Sequence, residues 1–257
     1  LVIVIREPIY KILIAKNYGL EAVASFEIAY RLCIQVMSFV VTPVLGTFAL
    51  SSLLSKNDKE LESILRPVFG FVVAILIPAC VFFATFSSDI FRLWLGNSEY
   101  GATDLFTIMF LSFSIYYLSE VLYKSIEGSG LSKYSAIVQI LTLLINMMVV
   151  YGLVSFGVIA IGYSLLVGFS LFSLSNFLVF RRVFPNISVT SGREILVMII
   201  PLLLYFFGYI YLDEGSKITL FLAYILTHVM LIIAFGIIPV RSILKAINFR
   251  IGPIKVD

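Results

Sequence analysis

Ser135–Phe156 reads SAIVQILTLLINMMVVYGLVSF, and after the single residue Gly157 the chain resumes as Val158–Phe180, VIAIGYSLLVGFSLFSLSNFLVF. Neither run contains Asp, Glu, Lys or Arg, and each is about 20 residues long, enough to cross a hydrocarbon core as a helix. Lipid offers backbone amides no hydrogen-bond partner, so continuous apolar runs of this length form helices rather than open strands. A membrane barrel would need short segments of alternating polarity, and these do not alternate. With almost no polar residue between them, the two runs predict a close helical hairpin turning at Gly157.

Working outward, the same kind of run recurs until the chain holds eight. Labelled a to h, they lie near 1–15, 22–54, 67–87, 102–124, 135–156, 158–180, 195–212 and 218–240. The composition agrees: 61% hydrophobic, 13% charged and a mean hydropathy of +1.08 exclude a soluble domain with one buried core. Basic residues between the runs fall on alternate sides. Lys56, Lys59 and Arg66, Lys124 and Lys133, Arg181, Arg182 and Arg193, and the tail's Arg241, Lys245, Arg250 and Lys255 share one side, twelve against Lys16, Arg92 and Lys217 on the other. The positive-inside rule makes the rich side cytoplasmic and leaves the C-terminus there. The net charge of +3 serves topology, and no basic, aromatic-interleaved patch points to nucleic acid.

Segment b is too long for a ~30 Å core and must tilt or bend, with Pro43 as its kink. Leu61, Ile64 and Leu65 recur at helical spacing among the charges of Asp58–Arg66, which predicts a short helix on the cytoplasmic surface. Phe91 and Trp94 in Ser88–Gly96 read as anchors at the outer interface. Pro185-Asn-Ile-Ser separates a six-helix unit, residues 1–184, from a last pair and tail, residues 185–257. The chain opens without Met, basic n-region or cleavage site, and helix a is about five residues short of a crossing. It reads as the C-terminal part of a longer protein, cut within a helix.

Ionisable groups at bilayer depth cost about 2.5–3.5 kcal/mol on insertion scales and mark polar interiors. Arg6 lies near the midplane of helix a. Glu7 and Lys11 share one of its faces, Glu27, Arg31 and Gln35 form a stripe on helix b, and Tyr116, Glu120 and Lys124 form a third on helix d. A mixed-charge cavity between a and b, holding an anionic or polar ligand, is one reading of these charges; ion pairing that fixes helix packing is the other. Gln139, Thr142 and Asn146, with Asn176 and the serines of helix f, suit hydrogen bonding and close contact between helices. His228 has no carboxylate beside it on helix h, which argues against a proton relay. One histidine and two scattered cysteines build no common zinc site, and there is no glycine-rich phosphate loop or GxSxG elbow. Neither metal nor cofactor nor enzymatic chemistry is implied.

Arg6-Glu-Pro-Ile-Tyr-Lys11, Gly19-Leu-Glu-Ala-Val-Ala-Ser-Phe-Glu-Ile-Ala-Tyr-Arg31, Pro43-Val-Leu-Gly-Thr-Phe48, Asp89-Ile-Phe-Arg-Leu-Trp-Leu-Gly96 and Glu127-Gly-Ser-Gly130 carry a resemblance across residues 5–180. In order and spacing they resemble the polysaccharide-unit flippases (Wzx type) of the multidrug/oligosaccharidyl-lipid/polysaccharide exporter superfamily. The resemblance implies an all-α, two-lobe transporter. Residues 1–184 would be helices seven to twelve, its second lobe, and 185–257 an accessory pair with a cytoplasmic tail; the N-terminal lobe is missing from this chain. It implies translocation of undecaprenyl-pyrophosphate-linked sugar units across the bacterial inner membrane. Arg6, Lys11, Arg31 and Gln35 would line the substrate cavity, and Glu7, Glu27 and Glu120 would be candidates for ion coupling, with sodium and protons both open. Membrane lipids and the pathway's polymerase and glycosyltransferases would be its surroundings. The rival readings are a multidrug/cation antiporter of the same superfamily and a membrane-embedded polysaccharide polymerase. The first would favour a carboxylate-rich cavity, the second a substantial outer loop with catalytic basic residues.

The alternation of charge sets up a direct test: reporter fusions after Gly96 and after Pro185 report opposite sides of the membrane. Both on one side would refute the topology.

Overall fold

The computed structural model describes residues 2–54, 57–96, 101–189, 200–203, 205 and 217–234. Among these the chain is helical and contains no strand. Its helices are α1 (Val2–Val40), α2 (Thr42–Leu54), α3 (Asp58–Leu95), α4 (Ala102–Gly128), α5 (Ser132–Leu153), α6 (Ile159–Val183) and α7 (Lys217–Ala234). Five helices among the described residues, spanning Arg6–Phe39, Asp58–Leu95, Ala102–Gly128, Ser132–Phe156 and Ile159–Val183, are long and apolar enough to cross a membrane. The protein is a multi-pass membrane protein.

α1 contains two crossings. At Gly19 the backbone takes φ 85° and ψ −179°, outside the helical region. Lys11 pairs with Glu27, and the rings of Tyr10 and Phe26 meet edge to face with centroids 6.0 Å apart. Residues 16 apart in a straight helix would be separated by about 24 Å. The arms therefore fold back on one another at Gly19, giving helices a and b. Segment b then bends where expected, with α1 ending at Val40 and α2 starting at Thr42, beside Pro43. Proline has no amide to give the preceding turn, so the ladder opens there. Counting both arms of α1, with b running on into α2, and then α3 to α7, helices are seen at seven of the eight expected positions. Helix g falls on 200–203 and 205, and its remainder, with the tail's Arg241, Lys245, Arg250 and Lys255, lies outside the described residues.

Two expectations about α3 are corrected. Asp58–Arg66 is not a separate surface helix, and Ser88–Gly96 is not a connection; both belong to one helix of 38 residues. Asn57 caps it by accepting from the Glu60 amide at 2.9 Å, and Asp58 and Glu60 suit the positive end of the helix dipole. Pro67 and Pro78 lie inside without ending it. Phe91 is buried against Phe106 rather than anchored at an interface, whereas Trp94 is exposed as an anchor should be.

α4 is the central helix, packed on α1, α2, α3 and α6. Its Phe106 and Phe110 meet Phe83 of α3, and its Phe113 and Tyr116 meet Phe169 of α6. The polarity of α5 is inverted relative to a water-soluble helix. Ser135, Thr142 and Asn146 are buried while Ile140, Leu141, Leu144 and Met148 are exposed, the arrangement that lipid as solvent favours. Asn146 donates to the Ser164 carbonyl at 2.6 Å and accepts from the Tyr10 hydroxyl, joining α5 to α6 and α1. Asn176 donates to Ser119 at 2.9 Å, joining α6 to α4. Of the residues expected to bond between helices, Asn146 and Asn176 do so, while Ser170 is exposed. At one end of the bundle, Tyr18 beside the first hairpin turn donates to the Val154 carbonyl and accepts from the Gly157 amide at 2.8 Å. At the other, Ser52 of α2 packs on Gly128 of α4. The turns thus gather at alternate ends, as the charge pattern requires.

Gly19→Ala is expected to destabilise the fold by about 1–3 kcal/mol, because its conformation is essentially reserved for glycine although nothing lies within 4 Å of the added carbon. Gly46→Ala, also with open space around it but inside α2, is expected to be neutral or to stabilise by up to about 1 kcal/mol. Thermal unfolding of the two variants in detergent measures the difference, and equal effects would remove the reversal at Gly19 as its cause.

Candidate functional site

The Gly19 reversal sets the register of the two arms. Lys11 lies eight residues before the turn and Glu27 eight after, so the two reach the same level. Lys11 also pairs with Glu7, one turn along its own arm, and Glu27 with Arg31, one turn along the other. The result is a ladder of alternating sign, Glu7–Lys11–Glu27–Arg31, with each inner member shared by two partners. Gln35 continues the stripe on the exposed side one turn beyond Arg31. The pairs within each arm follow from i,i+4 spacing. The bond across the arms is the feature that the sequence reading missed, and the equal spacing about Gly19 was the signal for it.

Arg6 stands apart from this ladder. It is 5% exposed, with its guanidinium carbon 4.7 Å from the centre of the Phe169 ring of α6 and its Nε without a hydrogen-bond partner among the described residues. Tyr116 and Phe172 stack beyond Phe169. A cation over an aromatic face is stabilised by the ring quadrupole, by about 2 kcal/mol or more once desolvated. Arg31, by contrast, has a side chain 70% exposed. The structure brings Glu7, Lys11, Glu27 and Arg31 together and holds Arg6 on a separate, buried face.

Glu120 belongs to a second cluster, on α4. Lys124 lies 3.8 Å from it and 2.9 Å from Glu127, while Tyr123 donates to Glu127 at 2.6 Å. The Glu120 Oε2 is buried without a hydrogen-bond partner among the described residues. Cys33 and Cys80 are free thiols on different helices, and the described residues contain no cluster of three or more His, Cys, Asp or Glu able to hold a metal.

Depth makes the ladder chemically notable. Arg31 is twelve residues past the turn at Gly19, about 18 Å along its arm and more than halfway through a ~30 Å core. A guanidinium exposed at that depth needs water or another polar surface beside it, since bare lipid would impose the full insertion cost. The exposed face of the hairpin carries Arg31 and Gln35 toward the space beside it, at a level where lipid alone would be a costly neighbour.

Comparison with known proteins bears on what that space holds. A family model described as "Polysaccharide biosynthesis protein" matches residues 1–104, which include the whole ladder. No curated protein matches the chain. Among solved structures the fold is similar to that of a lipid II flippase, MurJ, in its inward closed conformation, with a TM-score of 0.70 and 14% identity. The likeness covers 93% of this chain and 51% of the flippase, so the chain spans about half the length of that protein. The transporter fold and the polysaccharide family both agree with the resemblance read from residues 5–180.

Lys11 touches two carboxylates and Arg31 one, and that difference is measurable. Lys11→Ala is expected to destabilise the fold by about 1–3 kcal/mol by leaving Glu7 unpaired and Glu27 with Arg31 alone. Arg31→Ala, at an exposed site, is expected to cost less than about 1 kcal/mol. Unfolding both variants in detergent checks the order, and a larger loss for Arg31→Ala would break the ladder as described.

Proposed function

We propose that the chain is the second lobe, residues 1–184, and the accessory helix pair, residues 185–257, of a flippase for lipid-linked sugar units in the bacterial inner membrane, with its C-terminus cytoplasmic. The observation that carries this reading is the charge ladder, partly buried along Glu7, Lys11 and Glu27 and exposed at Arg31, lying within the part of the chain that matches the polysaccharide biosynthesis family. The transporter-like fold supports it. The substrate is an undecaprenyl-pyrophosphate-linked oligosaccharide whose polar headgroup crosses along the ladder face while its tail stays in hydrocarbon. A second six-helix lobe, facing the ladder, supplies the other wall, and rocking of the two lobes gives alternating access. The chain moves its substrate and breaks no bond in it.

The ladder also couples binding to charge. An anionic headgroup that takes Lys11 or Arg31 must compete with Glu27, and a carboxylate released in this way is free to take a sodium ion or a proton. Substrate and coupling ion then favour each other by linkage. Glu7, Glu27 and Glu120 are the coupling candidates, and Arg6, Lys11, Arg31 and Gln35 are the residues assigned to the substrate. Arg6 takes part once movement of α6 draws Phe169 aside.

The test is complementation of a strain that lacks its own exporter. In the two-lobe protein, Arg31→Ala is expected to reduce glycan export at least about tenfold with normal insertion. Arg31→Lys is expected to restore only part, since an ammonium lacks the bidentate grip of a guanidinium on phosphate. Residues 1–257 alone are expected not to restore export, and co-expression with a six-helix first lobe is expected to do so. Full export with Arg31→Ala would overturn the role of the ladder, and robust export by residues 1–257 alone would overturn the need for a second lobe.

A further inference from the structure

α7 packs against α3, and its Tyr224 and His228 are buried in that seam. Phe221 packs on Phe82 and Phe86, with ring centroids 5.4 Å from each. One turn deeper, Tyr224 meets Tyr205, whose hydroxyl is bonded to Thr85 of α3. Next comes His228, stacked on Tyr224 with centroids 5.7 Å apart and planes 19° from parallel. His228 is 2% exposed and lies eleven residues past Lys217, about 16 Å along the helix, midway through the core. Neither ring nitrogen closes a hydrogen bond among the described residues. An imidazole buried in that position is shut off from water and, among the described residues, has no carboxylate bonded to it, so another protein group must meet its N–H.

The antiparallel register of the seam, with Phe221 on Phe82 and Phe86 and Tyr224 beside Val81, brings His228 to the level of the Ala74 backbone carbonyl. In an α-helix that carbonyl would accept from the amide four residues on. Here that residue is Pro78, inside α3, and proline has no amide. The one carbonyl in this stretch of α3 that its own helix must leave open is thus the one against which α7 sets its histidine. A neutral imidazole carries one N–H donor, which an open carbonyl can accept. The positions agree along the whole seam. Ala74, Val81 and Thr85 lie on one face of α3, and Tyr224 and His228 follow Phe221 at helical spacing on α7, in antiparallel order.

We infer that His228 docks the accessory helix on the bundle by donating to the Ala74 carbonyl that Pro78 leaves without an amide. Freed carbonyls at prolines are the places where helices bend. By holding this one, α7 fixes the bend of α3 as well as its own seat, and His228 is a positioning residue. The inference stands independently of the transport reading.

Pro78→Ala restores the missing amide, and with it the demand for a partner disappears. The full 257-residue chain, with Cys33→Ala, Cys80→Ser and a cysteine pair at Phe82→Cys and Phe221→Cys, reports the seam by its rate of disulfide formation in lipid nanodiscs. His228→Leu is expected to slow this reaction about tenfold, the factor for one lost buried hydrogen bond. His228→Asn, which still donates, is expected to keep most of the rate. In the Pro78→Ala background, His228→Leu is expected to change nothing. An equal slowing in both backgrounds would reduce His228 to packing and overturn the inference, as would no slowing in either. Should the His228→Leu chain fail to accumulate, its recovery by Pro78→Ala supports the inference and joint failure overturns it.

Discussion

Everything in this fold follows from the absence of water as a backbone partner. A chain crossing lipid must satisfy its amides and carbonyls within itself, and each proline is a local breach of that rule. Pro8, Pro67 and Pro78 lie inside helices, and Pro43 lies in the first turn of α2. Their surroundings differ with depth. At Pro43 the chain bends and starts a new helix, so the lost bond coincides with an end. Pro67 stands about two and a half turns from the start of α3, directly after the charged Asp58–Arg66 stretch, and Ser63 one turn before it is exposed. Pro78 has no such relief, because it lies in the middle of the span. The same rule decides the side chains. Asn146, Asn176 and Ser164 are turned inward to meet a hydroxyl or a carbonyl, while Ile140, Leu141 and Leu144 of α5 face outward.

The spans were legible because one length, that of the hydrocarbon core, governs them, and a continuous run of about 20 apolar residues matches that length closely. Boundaries were less so, and the misses have a common cause. Asp58–Arg66 and Ser88–Gly96 carry charges, and charge was read as the end of a helix. It marks only the end of the apolar part. With Asn57 capping one end and Gly96 the other, α3 runs on past the lipid at both ends, where charged side chains meet water while the backbone remains helical. Phe91 shows the same limit for a single residue. An aromatic at the edge of a span suits an interface or a core equally well, and only its contact with Phe106 decides.

In the candidate site, the residues were legible and their grouping only in part. Spacing of four along a helix is a local property, so Glu7 with Lys11 and Glu27 with Arg31 could be paired on paper. The bond from Lys11 to Glu27 depends on the chain reversing within one residue at Gly19, a backbone state that composition does not announce. The position of Arg6 depends on Phe169, on a helix far along the chain. Adjacent residues of a helix point about 100° apart. Arg6 and Glu7 can therefore serve different faces, and a stripe drawn from one says nothing about the other.

The two arginines show two ways of keeping a cation in a membrane, and these differ in what they allow. Arg6 is held by ring faces and has no carboxylate bonded to it among the described residues. Its environment changes only if the packing of α6 changes, so it responds to conformation. Arg31 is held by one carboxylate at the open end of a ladder, so it responds to whatever enters beside it. Within the ladder, Lys11 is bound on both sides and Arg31 on one. On the proposed function, an arriving phosphate meets the least resistance at Arg31, and displacing Glu27 there weakens the hold on Lys11. Exchange would then proceed from Arg31 toward Lys11 and toward the turn at Gly19. On the proposed function, this order gives the headgroup a direction of travel that the ladder already contains.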